Sequence, residues 1–161
     1  FNKIRNNNAE LKIYGQASSY KSIRENYLKY IKKIARNKNI KFMGGFDNNK
    51  IAEIFEEIDI LVVPSIWYEN SPLVIQEAFL AKTPVKASRI GGIPELVKDG
   101  ENGLLFNPED IKDLREKIEY IINNPEVIKK FQENMPKVKS IEENAKEMEE
   151  IYTNLIIKNK E

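Results

Sequence analysis

The sequence contains no cysteine and no histidine among its 161 residues. Without cysteine, the chain can form neither a disulfide nor a thiolate metal site. Without histidine, it lacks the side chain that most often acts as a general base or as a transition-metal ligand. Any chemistry must therefore rest on carboxylates, on other polar side chains and on backbone groups, and no metal site is expected.

Further absences narrow the class of protein. There is no signal peptide and no apolar run of about 18 residues, which predicts a cytoplasmic segment without a transmembrane helix. No Gly-x-Gly-x-x-Gly fingerprint is present, so neither a dinucleotide nor any other cofactor is expected. Lys plus Arg number 26 and Asp plus Glu 25, for a net charge of +1. This balance argues against nucleic acid as a partner.

Apolar runs alternate with amphipathic stretches along the chain, which is long enough for one domain with one core. This alternation predicts an α/β fold: a Rossmann-like parallel sheet with helices on both faces, followed by extra C-terminal helices. Strands are predicted at residues 11–15, 40–43, 60–63, 84–87 and within 100–106, and helices at 21–36, 48–57, 72–81, 108–121, 125–131 and 140–157.

Residues 59–92 are the stretch around which the rest of the chain is organised. They predict a strand, a loop, a helix and a second strand, with Ser71 as the cap and Pro72 in the first turn of the helix. In an open α/β sheet, ligands bind where such a loop leaves the carboxyl end of a strand. The N–H groups of Leu73, Val74 and Ile75 lack partners within their own helix and suit an anion such as phosphate.

Two carboxylates, Glu69 and Glu77, bracket that group of donors. Six residues of helix separate Ser71 from Glu77 by roughly 9 Å, so an extended ligand could reach from one glutamate to the other. The structural alternatives are that Glu69 serves the helix dipole and that Glu77 lies on a solvated face. The apolar residues around Glu77 favour a carboxylate that requires a partner.

A second loop, at residues 89–95, is predicted to face the Glu69 loop. Gly91 and Gly92 allow close approach of backbone to a ligand, and Pro94 lies near the start of a helix. A tight strand-to-helix turn explains the glycines equally well. Arg89 offers a guanidinium that could pair with a diphosphate.

Five features stand in a fixed order: Glu69, then Glu77-Ala78 after seven intervening residues, Thr83-Pro84-Val85, Gly91-Gly92-Ile93-Pro94-Glu95, and the segment GENGLL at 100–105. In this order they resemble the carboxyl-terminal, donor-binding half of group 1 (family 4-like) retaining glycosyltransferases of GT-B fold. The resemblance extends more loosely from about Phe1 to Ile156.

The resemblance implies a role for each site residue. Glu77 is expected to accept hydrogen bonds from ribose hydroxyls, and Glu69, the expected catalytic residue, to hold hydroxyls of the transferred sugar. Backbone N–H groups are expected to assist the sugar and to face the diphosphate. The implied substrate-binding residues are Glu69, Asn70, Ser71, Leu73, Val74, Glu77, Gly91 and Gly92.

The resemblance also implies a UDP- or GDP-sugar donor and a hexosyltransferase acting in polysaccharide or glycolipid biosynthesis. Because FNKIRNNN reads as the tail of a helix, residues 1–161 are expected to be one domain excised from a two-domain enzyme. This domain would lack its first strand and loop and the amino-terminal acceptor domain, and would be inactive alone. In the full-length protein, peripheral association with the inner membrane face is compatible with a cytoplasmic location. The alternative is a non-catalytic Rossmann-like nucleotide- or partner-binding module.

Three positions carry further expectations. Lys82 stands where the resembled family commonly has a helix-ending glycine. Lys86 replaces an apolar strand residue, which predicts an edge strand or a partly wet one. The apolar stripe of the last helix, which includes Ile151, is expected to be exposed if a neighbouring domain is absent.

Overall fold

A computed structural model describes residues 1–4, 8–15 and 21–158 of the chain. The helix tail predicted at the start of the chain falls partly on residues 5–7, outside these ranges. Helices and strands alternate as predicted. The strands are β1 (Leu11–Tyr14), β2 (Ile40–Gly44), β3 (Leu61–Val63), β4 (Val85–Ser88) and β5 (Gly103–Phe106). The helices are α1 (Lys21–Ile34), α2 (Ile51–Glu56), α3 (Leu73–Leu80), α4 (Ile93–Leu96), α5 (Ile111–Asn123), α6 (Glu126–Glu133) and α7 (Ile141–Lys158).

The strands form two parallel sheets with helices on both sides, which confirms the predicted α/β, Rossmann-like architecture. β1 pairs with β2, and β4 lies between β3 and β5 in the second sheet. Val63 pairs with Ala87, which in turn pairs with Leu105. Since these strands are parallel, the loops that leave β3 and β4 emerge at the same edge of the sheet.

The second sheet carries a hydrophobic cluster on each face. Val85 and Ala87 point to one face because alternate strand residues share a side. Helix α3 packs against that face through Ile75, Ala78 and Phe79. The other cluster contains Leu104, Ile121, Val127 and Phe131. These contacts fix the position of α3 relative to the sheet edge where the two loops emerge.

Two helix starts differ from the sequence prediction because an aspartate, rather than the predicted residue, satisfies the first N–H groups. Asp47 accepts from Asn49 and caps a 3₁₀ turn, so that α2 begins at Ile51 rather than at residue 48. Asp110 accepts from two backbone N–H groups and begins α5, two residues after Pro108. At Asp110 the capping carboxylate binds two donors at once.

Helix α5 contacts the sheet through its later turns. Ile121 is buried in the second cluster, but Ile111 in the first turn of the helix is exposed.

Helix α3 ends in a backbone motif that favours glycine. The N–H of Lys82 donates to the carbonyl of Phe79 over 3.0 Å, and that of Thr83 to the carbonyl of Ala78 over 2.8 Å. This pair of bonds is a Schellman motif, which requires a left-handed residue. Lys82 occupies that position with φ of 54°. The geometry explains why glycine is common here in the resembled family.

The prediction that Lys86 marks an edge or partly wet strand is wrong. Its side chain is fully buried on the central strand, with Nζ 5.1 Å from the centroid of the Phe106 ring. Within the described ranges, Nζ has no hydrogen-bond acceptor. Burial and, to a lesser extent, the charge of Lys117 lower the pKa of Lys86 to about 8, against the opposing effect of Asp113 and Asp99.

Helix α7 lies on the surface along its whole length. Ser140 and Glu143 exchange hydrogen bonds at its start, which is a capping box. The predicted exposure of its apolar stripe is confirmed, since Ile151, Tyr152 and Leu155 are all exposed. In the part of the chain that the structure describes, no helix combines the length and apolarity needed to cross a bilayer.

We expect Lys86→Met to raise the free energy of unfolding near neutral pH by about 1–3 kcal/mol, because the variant no longer buries an ammonium group. Between pH 8 and 10.5 the unfolded chain binds more protons at this lysine than the folded chain. Wild-type stability should therefore rise with pH across this window, and the advantage of the variant should shrink. Urea unfolding across this pH range, with exposed Lys129→Met as the control, measures both effects. If the difference in unfolding free energy between Lys86→Met and wild type stayed constant with pH, the burial of a charged amine would be contradicted.

We expect Lys82→Gly to raise the unfolding free energy by roughly 0.5–1 kcal/mol, because glycine adopts the left-handed conformation without steric cost. Thermal and urea unfolding measure the change. Lys82→Ala removes the same charge but keeps Cβ, so it should give no comparable gain. Equal stabilisation by the two substitutions would assign the effect to charge rather than to backbone strain.

Candidate functional site

The loop after β3 is closed at its base by one side-chain hydrogen bond. Ser65, which is buried, donates from Oγ to Oε1 of Glu69 over 3.1 Å. This bond holds the half-buried Glu69 carboxylate against the end of the strand. The sequence prediction missed Ser65, although a serine four residues before a glutamate in a loop after a strand was a usable signal.

The two predicted loops touch, which confirms that the Gly91–Gly92 turn faces the Glu69 loop. The N–H of Gly92 donates to the carbonyl of Glu69 over 2.7 Å. A Cβ on Gly91 would lie 2.2 Å from the Glu69 carbonyl oxygen, and one on Gly92 would lie 1.9 Å from that of Asn70. Gly91 also has φ of 57°. Packing of one loop on the other therefore requires both glycines, and the N–H of Gly92 already has an acceptor within the chain.

The start of α3 differs from the prediction in its cap. Pro72, not Ser71, occupies the capping position, and it supplies no side-chain hydrogen bond. Ser71 Oγ instead accepts from Nε2 of Gln76 over 2.8 Å. Proline follows serine here, so the chain enters the helix one residue later than predicted.

Fewer backbone donors are free at this helix start than the sequence suggested. The N–H of Ile75 donates to the Pro72 carbonyl over 3.1 Å, so the prediction that it lacks a partner is wrong. The N–H groups of Leu73 and Val74 have no hydrogen-bond acceptor among the residues described. Two unpaired donors at the positive end of a helix dipole have the geometry and the charge that suit an anion.

Glu77 lies one turn further along α3 and is half-buried. It shares a face of the helix with Leu73 and Leu80, because residues three and four apart are neighbours. Both leucines are exposed, so the apolar residues around Glu77 do not enclose its carboxylate as the sequence suggested. The Glu77 carboxylate forms no hydrogen bond or ion pair with any residue in the described ranges. It is therefore accessible on a surface that is otherwise apolar.

Arg89 has a partner inside the protein. Its Nη2 lies 2.6 Å from Oδ2 of Asp99, whose other oxygen accepts from the N–H of Leu105 over 2.9 Å. Lys117 approaches the same carboxylate at 3.8 Å. Asp99, which the sequence prediction missed, thus ties the end of β4 to β5 and α5. A diphosphate would therefore compete with Asp99 for the guanidinium of Arg89.

The edge of the sheet therefore presents a carboxylate at Glu69, free N–H groups at Leu73 and Val74, and a second carboxylate at Glu77. This order suits an elongated ligand with an anionic middle and hydroxyl groups toward both ends, since carboxylates accept from hydroxyls and backbone N–H groups donate to phosphate oxygens.

Comparison with known proteins identifies the family. Residues 1–138 match the family described as "Glycosyl transferases group 1". An uncharacterized glycosyltransferase of Methanocaldococcus jannaschii is 36% identical over 125 residues, which cover 76% of this chain and 33% of that protein.

Solved structures of glycosyltransferases share the fold. Sucrose-phosphate synthase from Thermosynechococcus elongatus superposes with a TM-score of 0.76 at 27% identity, over 92% of this chain and 39% of that one. HepE from Anabaena, in complex with UDP, gives a TM-score of 0.71 at 25% identity, over 81% and 35% of the two chains.

In each of these comparisons the aligned region amounts to about a third of the other protein, or slightly more. The family match covers most of the chain. The chain belongs to the group 1 glycosyltransferases.

Proposed function

We propose that this chain is the donor-binding domain of a retaining, family 4-like glycosyltransferase and that it binds a nucleoside-diphosphate sugar. One observation carries the proposal: the uncapped start of α3 lies between two accessible carboxylates at the carboxyl edge of a parallel sheet. A nucleoside-diphosphate sugar has the complementary order of groups, with a diphosphate between a ribose diol and a sugar.

In this proposal Glu77 binds the ribose. Its carboxylate is half-buried and has no partner in the described ranges, so a ligand diol would supply hydrogen bonds that the protein does not. Two adjacent hydroxyls can donate to one carboxylate. The exposed Leu73 and Leu80 on the same helix face would shield these bonds from water.

The diphosphate lies at the helix start. The N–H groups of Leu73 and Val74 donate to it, together with the N–H of Gly91. Gly92 acts through Glu69 instead, because its N–H is bonded to the Glu69 carbonyl. As the sugar leaves, charge develops on the diphosphate, and preorganised donors stabilise that charge.

Glu69 holds hydroxyls of the transferred sugar and is the proposed catalytic residue. The Ser65 hydrogen bond uses only part of the accepting capacity of its carboxylate, which leaves oxygen lone pairs for the ligand. Backbone N–H groups of Asn70 and Ser71 assist. No covalent nucleophile is needed, and the mechanism rests on positioning and on electrostatic stabilisation of the leaving group.

The activity belongs to a longer protein in this proposal. Residues 1–161 supply the donor half, and an amino-terminal domain supplies the acceptor site of a cytoplasmic hexosyltransferase in polysaccharide or glycolipid biosynthesis. Peripheral association with the inner membrane face would place such an enzyme near a lipid-linked acceptor. HepE, similar to this chain, has been crystallised with UDP and with UDP-glucose, which favours a UDP-sugar over a GDP-sugar as the first donor to test.

We expect Glu77→Ala to weaken binding of the bare nucleotide about tenfold or more, because it removes charge-assisted hydrogen bonds to the ribose. Isothermal titration of wild type and variant with UDP, GDP and ADP measures this loss. Glu77→Gln should lose less, since the amide keeps one acceptor. Glu101→Ala, an exposed acid in the turn before β5, is the control and should bind like wild type. If wild type and Glu77→Ala bound the nucleotide with equal affinity, Glu77 would not bind the ribose.

We expect Glu69→Ala to weaken binding of a nucleotide-sugar by several fold more than binding of the matching bare nucleotide, because Glu69 contacts only the sugar. Titrations with UDP and UDP-glucose, and with GDP and GDP-mannose, measure the difference. Equal losses for nucleotide and conjugate would assign Glu69 a structural role.

If the full-length protein bound donor but transferred no sugar to any acceptor, the chain would be a binding module rather than part of an enzyme.

A further inference from the structure

The loop between β3 and α3 carries three consecutive large apolar side chains at its outermost part. The Ser65–Glu69 hydrogen bond joins two residues four positions apart, and the chain bends at Trp67 between them. Residues 66–68, named here the aromatic tip, are Ile66, Trp67 and Tyr68. Their exposed fractions are 62%, 62% and 86%.

The base of this loop is held by two hydrogen bonds, while its tip is uncovered. The hydroxyl of Ser65 donates to the side chain of Glu69, and the N–H of Gly92 donates to its backbone carbonyl. Neither Trp67 nor Tyr68 takes part in any of the ring contacts found among the described residues. A preorganised loop loses little conformational entropy when it binds, so its exposed rings can contribute their full contact area to a ligand.

The chemistry of the base points to the occupant of the tip. A pyranose ring presents hydroxyls at its rim and C–H groups on its faces. The carboxylate of Glu69 can accept hydrogen bonds from the rim hydroxyls of the sugar. The indole ring of Trp67 offers a flat apolar surface for the C–H face of the same sugar. The Cα atoms of Trp67 and Glu69 lie within about 7 Å of each other, because two peptide units separate them. A single sugar ring can therefore meet both side chains.

We propose that Trp67 stacks on the transferred sugar of the donor, with Tyr68 at the edge of the same ring, and that the aromatic tip selects pyranoses with an apolar C–H face. This inference rests on the proposed function and assigns the tip a role in sugar specificity. In this proposal the ligand extends from Glu77 along the start of α3 to Glu69, and its sugar ends at the aromatic tip.

Trp67 is the one tryptophan in the sequence, so tryptophan fluorescence reports on the tip alone. We expect saturating UDP-glucose, GDP-mannose or ADP-glucose, whichever binds, to protect Trp67 from acrylamide quenching by about twofold or more, since a stacked sugar covers part of the indole. The matching bare nucleotide should leave the quenching near that of the free protein. Glu69→Ala should lose the protection, because the sugar is no longer held beside the ring.

Affinity provides a second measurement. Trp67→Ala should weaken binding of the conjugate about five- to tenfold and leave the bare nucleotide unchanged, whereas Trp67→Phe should retain most of the affinity. Tyr152→Ala removes an equally exposed aromatic ring on α7 and is the matched control. Unfolding curves for each variant should match wild type, since the replaced rings are exposed.

Three outcomes would overturn the proposal. Equal protection of Trp67 by conjugate and bare nucleotide would show that the sugar does not reach the tip. Wild-type affinity of Trp67→Ala for the conjugate would show that stacking contributes nothing. Protection by phosphatidylglycerol vesicles but not by conjugate would assign the tip to a membrane surface. If no bare nucleotide binds the wild-type chain, the proposed function itself fails, and the nucleotide titration distinguishes that failure from the other three.

Discussion

The close approach of two backbone segments, Glu69–Asn70 and Gly91–Gly92, is the constraint on which the candidate site depends. Parallel pairing of β3 and β4 brings these segments to the same edge of the sheet, but only the absence of Cβ atoms lets them touch. The resulting bond from Gly92 to the Glu69 carbonyl sets where the Glu69 carboxylate can lie. The glycine pair therefore acts first on protein structure, through the position that it gives to Glu69.

Most of the architecture could be predicted from sequence because it depends on local pattern. Apolar runs and helical periodicity predicted the strands of the second sheet and helices α3, α5 and α6 within one to three residues, and the position of the glycine pair after a strand indicated that its loop would face the Glu69 loop. Helix starts were less accurate. Ser71 and Pro108 were the predicted starts of α3 and α5. In the structure Pro72 occupies the capping position of α3 and Asp110 that of α5, so both helices begin later in the sequence.

The remaining misses depend on tertiary contacts that no local pattern encodes. Lys86 looked like an exposed strand residue, but its long side chain is buried beside Phe106 under α5. Arg89 was predicted to be able to pair with a diphosphate, but its partner in the structure is Asp99, ten residues later in the sequence. The exposed face of α3 was missed because its members are mostly apolar, and composition alone did not show that this face lacks a neighbour.

Helix α7 differs physically from the rest of the described chain. It is 18 residues long, and none of its residues is buried. A helix of this length is only marginally stable in water without a packed face, so its persistence depends on the capping box and on ion pairs such as Lys139–Glu147. Its amide protons should exchange with solvent orders of magnitude faster than those of β4, and it can melt and reform without disturbing the sheet. Whether α7 is helical thus depends on conditions such as ionic strength and temperature, independently of the fold that holds the site.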